Sequence, residues 1–324
     1  MKTSSRLEDQ LKKVALLARD LPSQSARDGL AKVLLGTNSF LIARAAQLIA
    51  RAKDRELVPV LVDAFGRLLN MPASADKGCR AKTAILEALD DLDYDGTNPF
   101  VQGISYQQME PIFGGQVDTA ADLRATCAVM LARRYYPDIY YEMARLITDP
   151  EVSPRIAAAS VLAALGSECG NALMMMRVLT GEQDPMVLRK CFSGLIAAHT
   201  DRLWSFVTGY LDSADLVLAE SAAIAVGESN DKCAFSVLRE IWERNLDNER
   251  KSTLLLAMAL TRDDDAVEYL LSMIKEAHAP EAARALQAIS IYSADERLHE
   301  RVREAISSRK EREVIDAYEM AFSG

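Results

Sequence analysis

The sequence predicts an all-α protein, a right-handed α-solenoid of stacked antiparallel helix pairs running as one domain over residues 1–324. Three observations carry this. A unit of about thirty residues recurs along the C-terminal part of the chain. Its starts, at Leu123, Pro154, Leu188, Leu218, Arg250 and Glu281, are separated by 31, 34, 30, 32 and 31 residues. A fixed period in this range marks an array in which each unit buries its apolar face against the next. Within each unit apolar residues recur at helical spacing, and alternating β-branched runs are absent. Aromatic residues make up only 6% of the chain, while Ala and Leu are abundant, which suits closely stacked helices.

Residues 1–92 read as N-terminal helices and a cap. Arg6–Arg19 is a capping helix, Phe40–Arg51 pairs with Leu57–Leu69, and Cys79–Leu89 opens a further unit. Residues 93–118 break the rhythm and read as an irregular loop insertion. Regular repeats fill 119–308. In Leu123–Arg133 the apolar residues Leu123, Cys127, Met130 and Leu131 share a helical face. The same template gives Ile156, Ala159, Leu162 and Ala163, and later Ala222, Ala225 and Val226. Second helices read at Ile139–Ile147, Ala172–Leu179, Leu203–Leu211, Phe235–Trp242 and Ala266–Ile274. The breaks between them carry Asp149-Pro150, Gly166-Ser167 and Asp184-Pro185. Asp caps a helix and Pro is tolerated in its first turn. The segment 309–324 is a C-terminal capping helix with Val314, Ile315, Tyr318 and Phe322 on one face. A terminal unit needs a polar outer face because nothing packs beyond it. Seven or eight helix pairs result.

Arg80, Arg124, Arg155 and Arg189 occupy the same position in successive first helices, each four to six residues after an Asp (Asp76, Asp118, Asp149 and Asp184). This pattern ahead of a small-residue helix resembles the HEAT repeat, in particular the short bacterial type named for the phycobilisome-lyase-like proteins, over residues 30–308. The resemblance implies a HEAT-like superhelix whose second helices line a concave surface. It also implies that the Asp and Arg residues form an internal polar ladder between units. That ladder should fade from residue 218 on, where Ala219 and Ser252 replace Arg. The family spans scaffolds, adaptors, bilin lyases and a metal-dependent hydroxylase, so it implies a fold more than an activity.

Composition narrows the function classes. The net charge is −9, unevenly spread: residues 1–90 carry 15 Lys/Arg against 10 Asp/Glu, and residues 91–324 carry 23 against 37. An acidic bulk disfavours nucleic acid, which is bound by neutralising phosphates. It favours a basic partner. The five cysteines are odd in number and form no Cys-x-x-Cys pair, so they read as reduced thiols rather than a disulfide framework or zinc site. The first 21 residues are charged and amphipathic, unlike a signal peptide, and no stretch approaches the roughly 18 apolar residues of a membrane span. A cytoplasmic location is expected. The three histidines, His199, His278 and His299, are isolated, and His299-Glu300 is the one His-Glu pair. A HEAT-type iron hydroxylase would need several such pairs in successive repeats. No catalytic residue, metal ligand or cofactor is therefore assigned.

What remains is binding. The segment Asp93–Asp118 is dense in Gly and Pro yet rich in apolar residues, so it is either packed or functional. Phe100, Ile104, Met109 and Phe113 could staple neighbouring units together. Phe100, Tyr106, Gln107, Gln108, Glu110 and Phe113 are the candidate partner-binding residues. Trp204 and Trp242, on second helices, are candidate concave-face contacts. Arg44, Arg51 and Arg55 would form a basic stripe if one helix carried all three. The leading expectation is a non-enzymatic scaffold binding an unidentified protein or peptide, its oligomeric state open. A nucleic-acid-binding protein using the basic N-terminal third is the alternative, and a bilin-lyase-like enzyme a third.

Overall fold

A computed structural model gives the architecture and describes residues 2–244 and 248–322. Met1, Ser323 and Gly324, the outermost residues of the two expected caps, lie outside the described residues. The chain forms two compact units, Met1–Val161 and Leu162–Gly324.

The first unit holds α1 (Lys2–Arg19), α2 (Gln24–Leu34), α3 (Ser39–Ala52), α4 (Val58–Leu69), α5 (Arg80–Asp91), α6 (Asn98–Ile104), β1 (Met109–Ile112), β2 (Gly115–Asp118), α7 (Ala121–Arg133), α8 (Ile139–Leu146) and the start of α9 (Val152–Leu165). First helices stack in order, α1 on α3, α3 on α5 and α5 on α7, and second helices follow them, α2 on α4 and α4 on α6. The reason lies in the spacing. Ile42, Ala45, Ala46 and Ile49 of α3 are all buried, as are Ala81, Ala84, Ile85, Ala88 and Leu89 of α5, the helix packed against it. Each buried Leu or Ile contributes about 1.5–3 kcal/mol, and the alanines let the helices approach closely.

The second unit holds the end of α9, then α10 (Glu168–Leu179), α11 (Pro185–Ile196), α12 (Asp201–Thr208), α13 (Leu216–Gly227), α14 (Ala234–Trp242), α15 (Asn248–Leu260), α16 (Asp264–Glu276), α17 (Ala279–Ile289), α18 (Glu296–Ile306) and α19 (Arg312–Phe322). Here α11, α13, α15, α17 and α19 stack in succession. Helix entries are capped by short acidic side chains: Asp184 accepts the N–H groups of Met186 and Val187, and Asp215 and Asp295 do the same for α13 and α18.

Each unit is thus an α-solenoid of antiparallel helix pairs. The described residues contain nineteen helices, nine pairs and a final helix, rather than seven or eight pairs. Two short elements account for the difference. α2 makes a pair of the expected N-terminal cap. α6 supplies, inside the segment read as an irregular loop, the second helix of the α5 unit. Only residues after α6 depart from the repeat, and they form an antiparallel hairpin with Met109 opposite Asp118 and Ile112 opposite Gly115. Two four-residue strands, the first containing Pro111, are too short to show alternation. Gly114 turns the hairpin at φ +85°, a conformation that needs glycine.

No described helix is long and apolar enough to cross a membrane. Cys79, Cys127 and Cys191 are buried, while Cys169 and Cys233 are exposed. Burial pushes the Cys79 thiol up to about 11 and Cys191 up to about 12, and raises Cys127 as well. A thiol reagent at neutral pH should therefore label two cysteines quickly and the other three only on unfolding. A third fast thiol in the folded protein would contradict this burial.

Candidate functional site

The hairpin stands on a buried polar cluster built from three loops. Asp76, just before α5, is fully buried and accepts the N–H groups of Ala81 (2.8 Å) and Lys82 (3.0 Å). Lys82 is also fully buried; its Nζ lies 3.4 Å from the Asp76 carboxylate, donates to Gln108 Oε1 at 2.9 Å and sits over the Tyr106 ring. A lysine survives there only because the charge is paired and hydrogen-bonded. Gln108 Nε2 in turn donates to the Asp76 carbonyl and to Glu110 Oε1, both at 2.8 Å. Glu110 also accepts the Thr119 hydroxyl (2.6 Å) and the Gly78 N–H (2.7 Å). One side chain, Gln108, thereby ties both strand ends to the loop before α5.

Arg124, at the start of α7, completes the base. Its Nη1 donates to Asp118 Oδ2 (2.6 Å) and to the Tyr106 carbonyl (3.0 Å), while Nε and Nη2 grip both oxygens of Asp149 at 2.9 Å. One guanidinium so joins the hairpin, its own repeat and the following one, with the forked geometry that suits carboxylates.

These contacts set the acid response. The Thr119 hydroxyl, with the Gly78 N–H, Gln108 and Lys77, outweighs burial and holds Glu110 below its ordinary value. Burial alone would raise Asp118, but the Gln108 and Ala120 N–H groups and Arg124 hold it below its ordinary value. For both groups the folded pKa lies below the unfolded one. The stability they lend is complete above the unfolded carboxylate range, about pH 4, and is lost as pH falls through the depressed folded values. The thermal midpoint should drop on acidification through this window, and Glu110→Gln with Asp118→Asn should flatten that dependence. An unchanged slope in the double variant would remove these two groups as its source.

Above the base the hairpin is solvated. Phe113 is fully exposed, and Met109, Ile112 and Val117 are 49%, 56% and 37% exposed. The Thr119 N–H donates to the Gln108 carbonyl, so the alternation of paired and unpaired positions points the backbone of residue 111 outward. Proline there has no N–H to offer, and β1 runs beside the turn at Ala73–Ala75. The edge is thereby protected against strand addition, leaving the apolar side chains as the available surface.

The structure distributes the sequence-selected residues unevenly. Phe113 stands at the tip, Gln107 is exposed beside Glu142 and Arg145, and Tyr106 and Glu110 are half-buried in the base. Phe100 and Gln108 are not recognition residues: Phe100 is fully buried beneath the Arg134 guanidinium, and Gln108 spends its amide inside the cluster. The stapling group divides likewise, with Phe100 and Ile104 buried and Met109 and Phe113 in water.

The basic stripe is broken. α3 ends at Ala52, and Arg55 lies beyond it, donating to the Asp93 carbonyl at 2.6 Å, while Arg44 is half-buried and Arg51 exposed. Trp242 is buried with the Lys251 ammonium over its ring, so it offers no contact surface; Trp204 is half-buried on α12.

The polar ladder also differs in membership. Arg124 fills it, and Arg155 donates to the Asp149 and Pro150 carbonyls. Arg80 instead lies exposed over Phe40, and Lys82, two residues on, takes the buried place. Arg189 reaches the sulfur of Met186 rather than an Asp. Lys82 was missed because a buried lysine looks like a surface residue in sequence, although the Asp76 six residues earlier was the available signal. Among the described residues no three His, Cys, Asp or Glu side chains converge as a metal site.

No protein-family model matches this sequence, and no curated protein is similar to it. Among solved structures, human deoxyhypusine hydroxylase in complex with glycerol is similar at 13% identity and a TM-score of 0.30, over 79% of this chain and 91% of that one. The crystal structure of an engineered protein is similar at 17% identity and a TM-score of 0.37, over 98% and 95% of the two chains. Likenesses this distant carry no conclusion about function.

Proposed function

We propose that the protein is a non-enzymatic interaction scaffold and that the 109–118 hairpin is its protein-docking element. The observation that carries this reading is the contrast within ten residues: a base fixed by buried, fully used polar groups, and a tip whose apolar side chains are all solvated. An exposed apolar feature costs solubility unless a partner covers it. A feature held rigid before binding loses little entropy on docking. Phe113 is the anchor, since aromatic residues dominate interface energetics.

Capture from extract of the source cells, with intact protein and an Ile112→Ser/Phe113→Ser variant, tests this. The partner should be retained through nuclease treatment and lost with the variant. Because the tip lies outside the core, the variant should keep its unfolding free energy to within about 0.5 kcal/mol. Equal capture by both proteins would sink the reading.

A further inference from the structure

We propose that Asp95-Gly96 is a self-modification site: the aspartate closes onto the glycine amide and reopens as isoaspartate, and the altered link loosens α6. The chain holds two Asp-Gly pairs and no Asn-Gly. The fold treats the two pairs differently. Asp28-Gly29 lies inside α2, where Asp28 Oδ1 accepts Gln24 Nε2 at 2.8 Å. A helix ties each backbone N–H to the carbonyl four residues back, so the Gly29 nitrogen is held away from the side chain before it. Asp95-Gly96 lies in the link between α5 and α6, outside any helix or strand, and Asp95 is exposed.

The link is pinned on both sides of this pair and free at it. Before it, Arg55 donates to the Asp93 carbonyl at 2.6 Å, Arg134 Nε to the Tyr94 carbonyl at 3.0 Å, and the Tyr94 N–H to the Leu89 carbonyl at 3.0 Å. After it, the Val101 N–H donates to the Thr97 carbonyl at 3.0 Å, and Pro99 and Phe100 are buried. Among the described residues no backbone carbonyl accepts the N–H groups of Asp95, Gly96 and Thr97. Asp95 lines an open cleft of about 450 Å³ with Lys53, Arg133 and Arg134, so water reaches it. Gly96 has no side chain to hinder the approach. The fold keeps it so, because a Cβ there would overlap the Tyr94 hydroxyl.

The Gly96 nitrogen attacks Cγ of the Asp95 carboxylic acid. The N–Cγ bond forms, the Cγ–OH bond breaks, and the hydroxyl leaves with the amide proton as water. Adjacent residues supply both groups, so the ring closure is unimolecular. Water then opens the imide. Attack at Cγ restores aspartate; attack at the main-chain carbonyl gives isoaspartate, with the chain running through Cγ. No oxidant is consumed and the net mass is unchanged. Isoaspartate lengthens the backbone by one bond, about 1.5 Å. α6 packs on α7 and seats Phe100 4.1 Å beneath the Arg134 guanidinium. With the link pinned at both ends, the extra bond strains α6 out of that seat.

Mass spectrometry of the folded full chain, aged in heavy-oxygen water and then digested, tests this. Each passage through the imide leaves one heavy oxygen on residue 95, whichever way the ring opens. The peptide carrying Asp95 should gain heavy oxygen and an isoaspartyl bond, read by electron-transfer fragmentation, while the peptide carrying Asp28 stays unlabelled. In denaturant both should gain it. Asp95→Glu should abolish the label at this link. Asp95→Asn, which releases ammonia in place of water, should convert faster than the intact chain. By hydrogen exchange, α6 should open faster in aged protein than in fresh. Folded Asp95 labelled no faster than folded Asp28, or a label that persists in Asp95→Glu, would overturn the site. An aged, converted chain whose α6 exchanges as in fresh protein would overturn the loosening. This chemistry is independent of what the hairpin binds, so capture through Phe113 stands or falls separately.

Discussion

Replacing Arg124 with Ala is expected to destabilise the first unit by about 3–5 kcal/mol, the cost of stripping one partner from a buried ion pair. The guanidinium is buried and holds two carboxylates at once, Asp118 and both oxygens of Asp149, together with the Tyr106 carbonyl. Removing it leaves Asp118 with the N–H groups of Gln108 and Ala120, and Asp149 with the N–H of Glu151. Neither set supplies a compensating charge. Arg124→Lys should recover part of the loss, since it keeps a charge but not the fork. Arg189→Ala, which breaks no carboxylate pair in its own repeat, should stay within about 0.5 kcal/mol. Hydrogen exchange reads the effect locally, through faster opening of α7 and the hairpin. If Arg124→Ala matched Arg189→Ala, the bridge would be ornamental rather than structural.

The second large effect is at Gly227, the last residue of α13. A Cβ there would lie 2.3 Å from the Ala257 carbonyl oxygen and 2.9 Å from that residue's Cα. The obstacle is backbone, so no rotamer change relieves it. α13 and α15 must move apart along an interface closed by Ala222, Ala223, Ala225 and Val226. Gly227→Ala should therefore cost about 3 kcal/mol, at the upper end for overpacking and against the usual gain from Ala in a helix. The fluorescence of Trp204 and Trp242, both in this unit, should report a lowered denaturation midpoint. Gly66→Ala, where an added Cβ meets nothing within 4 Å, serves as the contrasting helix glycine. Equal midpoints for the two variants would show that the helices separate without cost.

Phe113 was legible only as an apolar residue of a Gly- and Pro-dense segment, as fit to staple neighbouring units as to meet a partner. The places of Gln108 and Phe100 were not legible, because a sequence segment gives no account of what lies beneath it. Gln108 looks like a surface amide until Asp76 and Lys82, 32 and 26 residues earlier, close around it. The same holds for the arginines of the ladder. Arg80 and Arg124 share a repeat position, yet one lies over Phe40 in solvent and the other is buried between two aspartates.

The sequence by itself determined the helical repeat: its period, the small-residue first helices, the second helices from Ile139 to Ile274 and the Asp caps. These are local properties, set by apolar spacing every three to four residues and by side chains that bond to their own backbone. Only the tertiary structure decided that 93–118 is a helix followed by a hairpin, that Lys82 rather than Arg80 is buried, and that Arg124 bridges two repeats. Those outcomes depend on groups distant in the chain sharing one desolvated space, where an unpaired charge is costly and a completed network is stable.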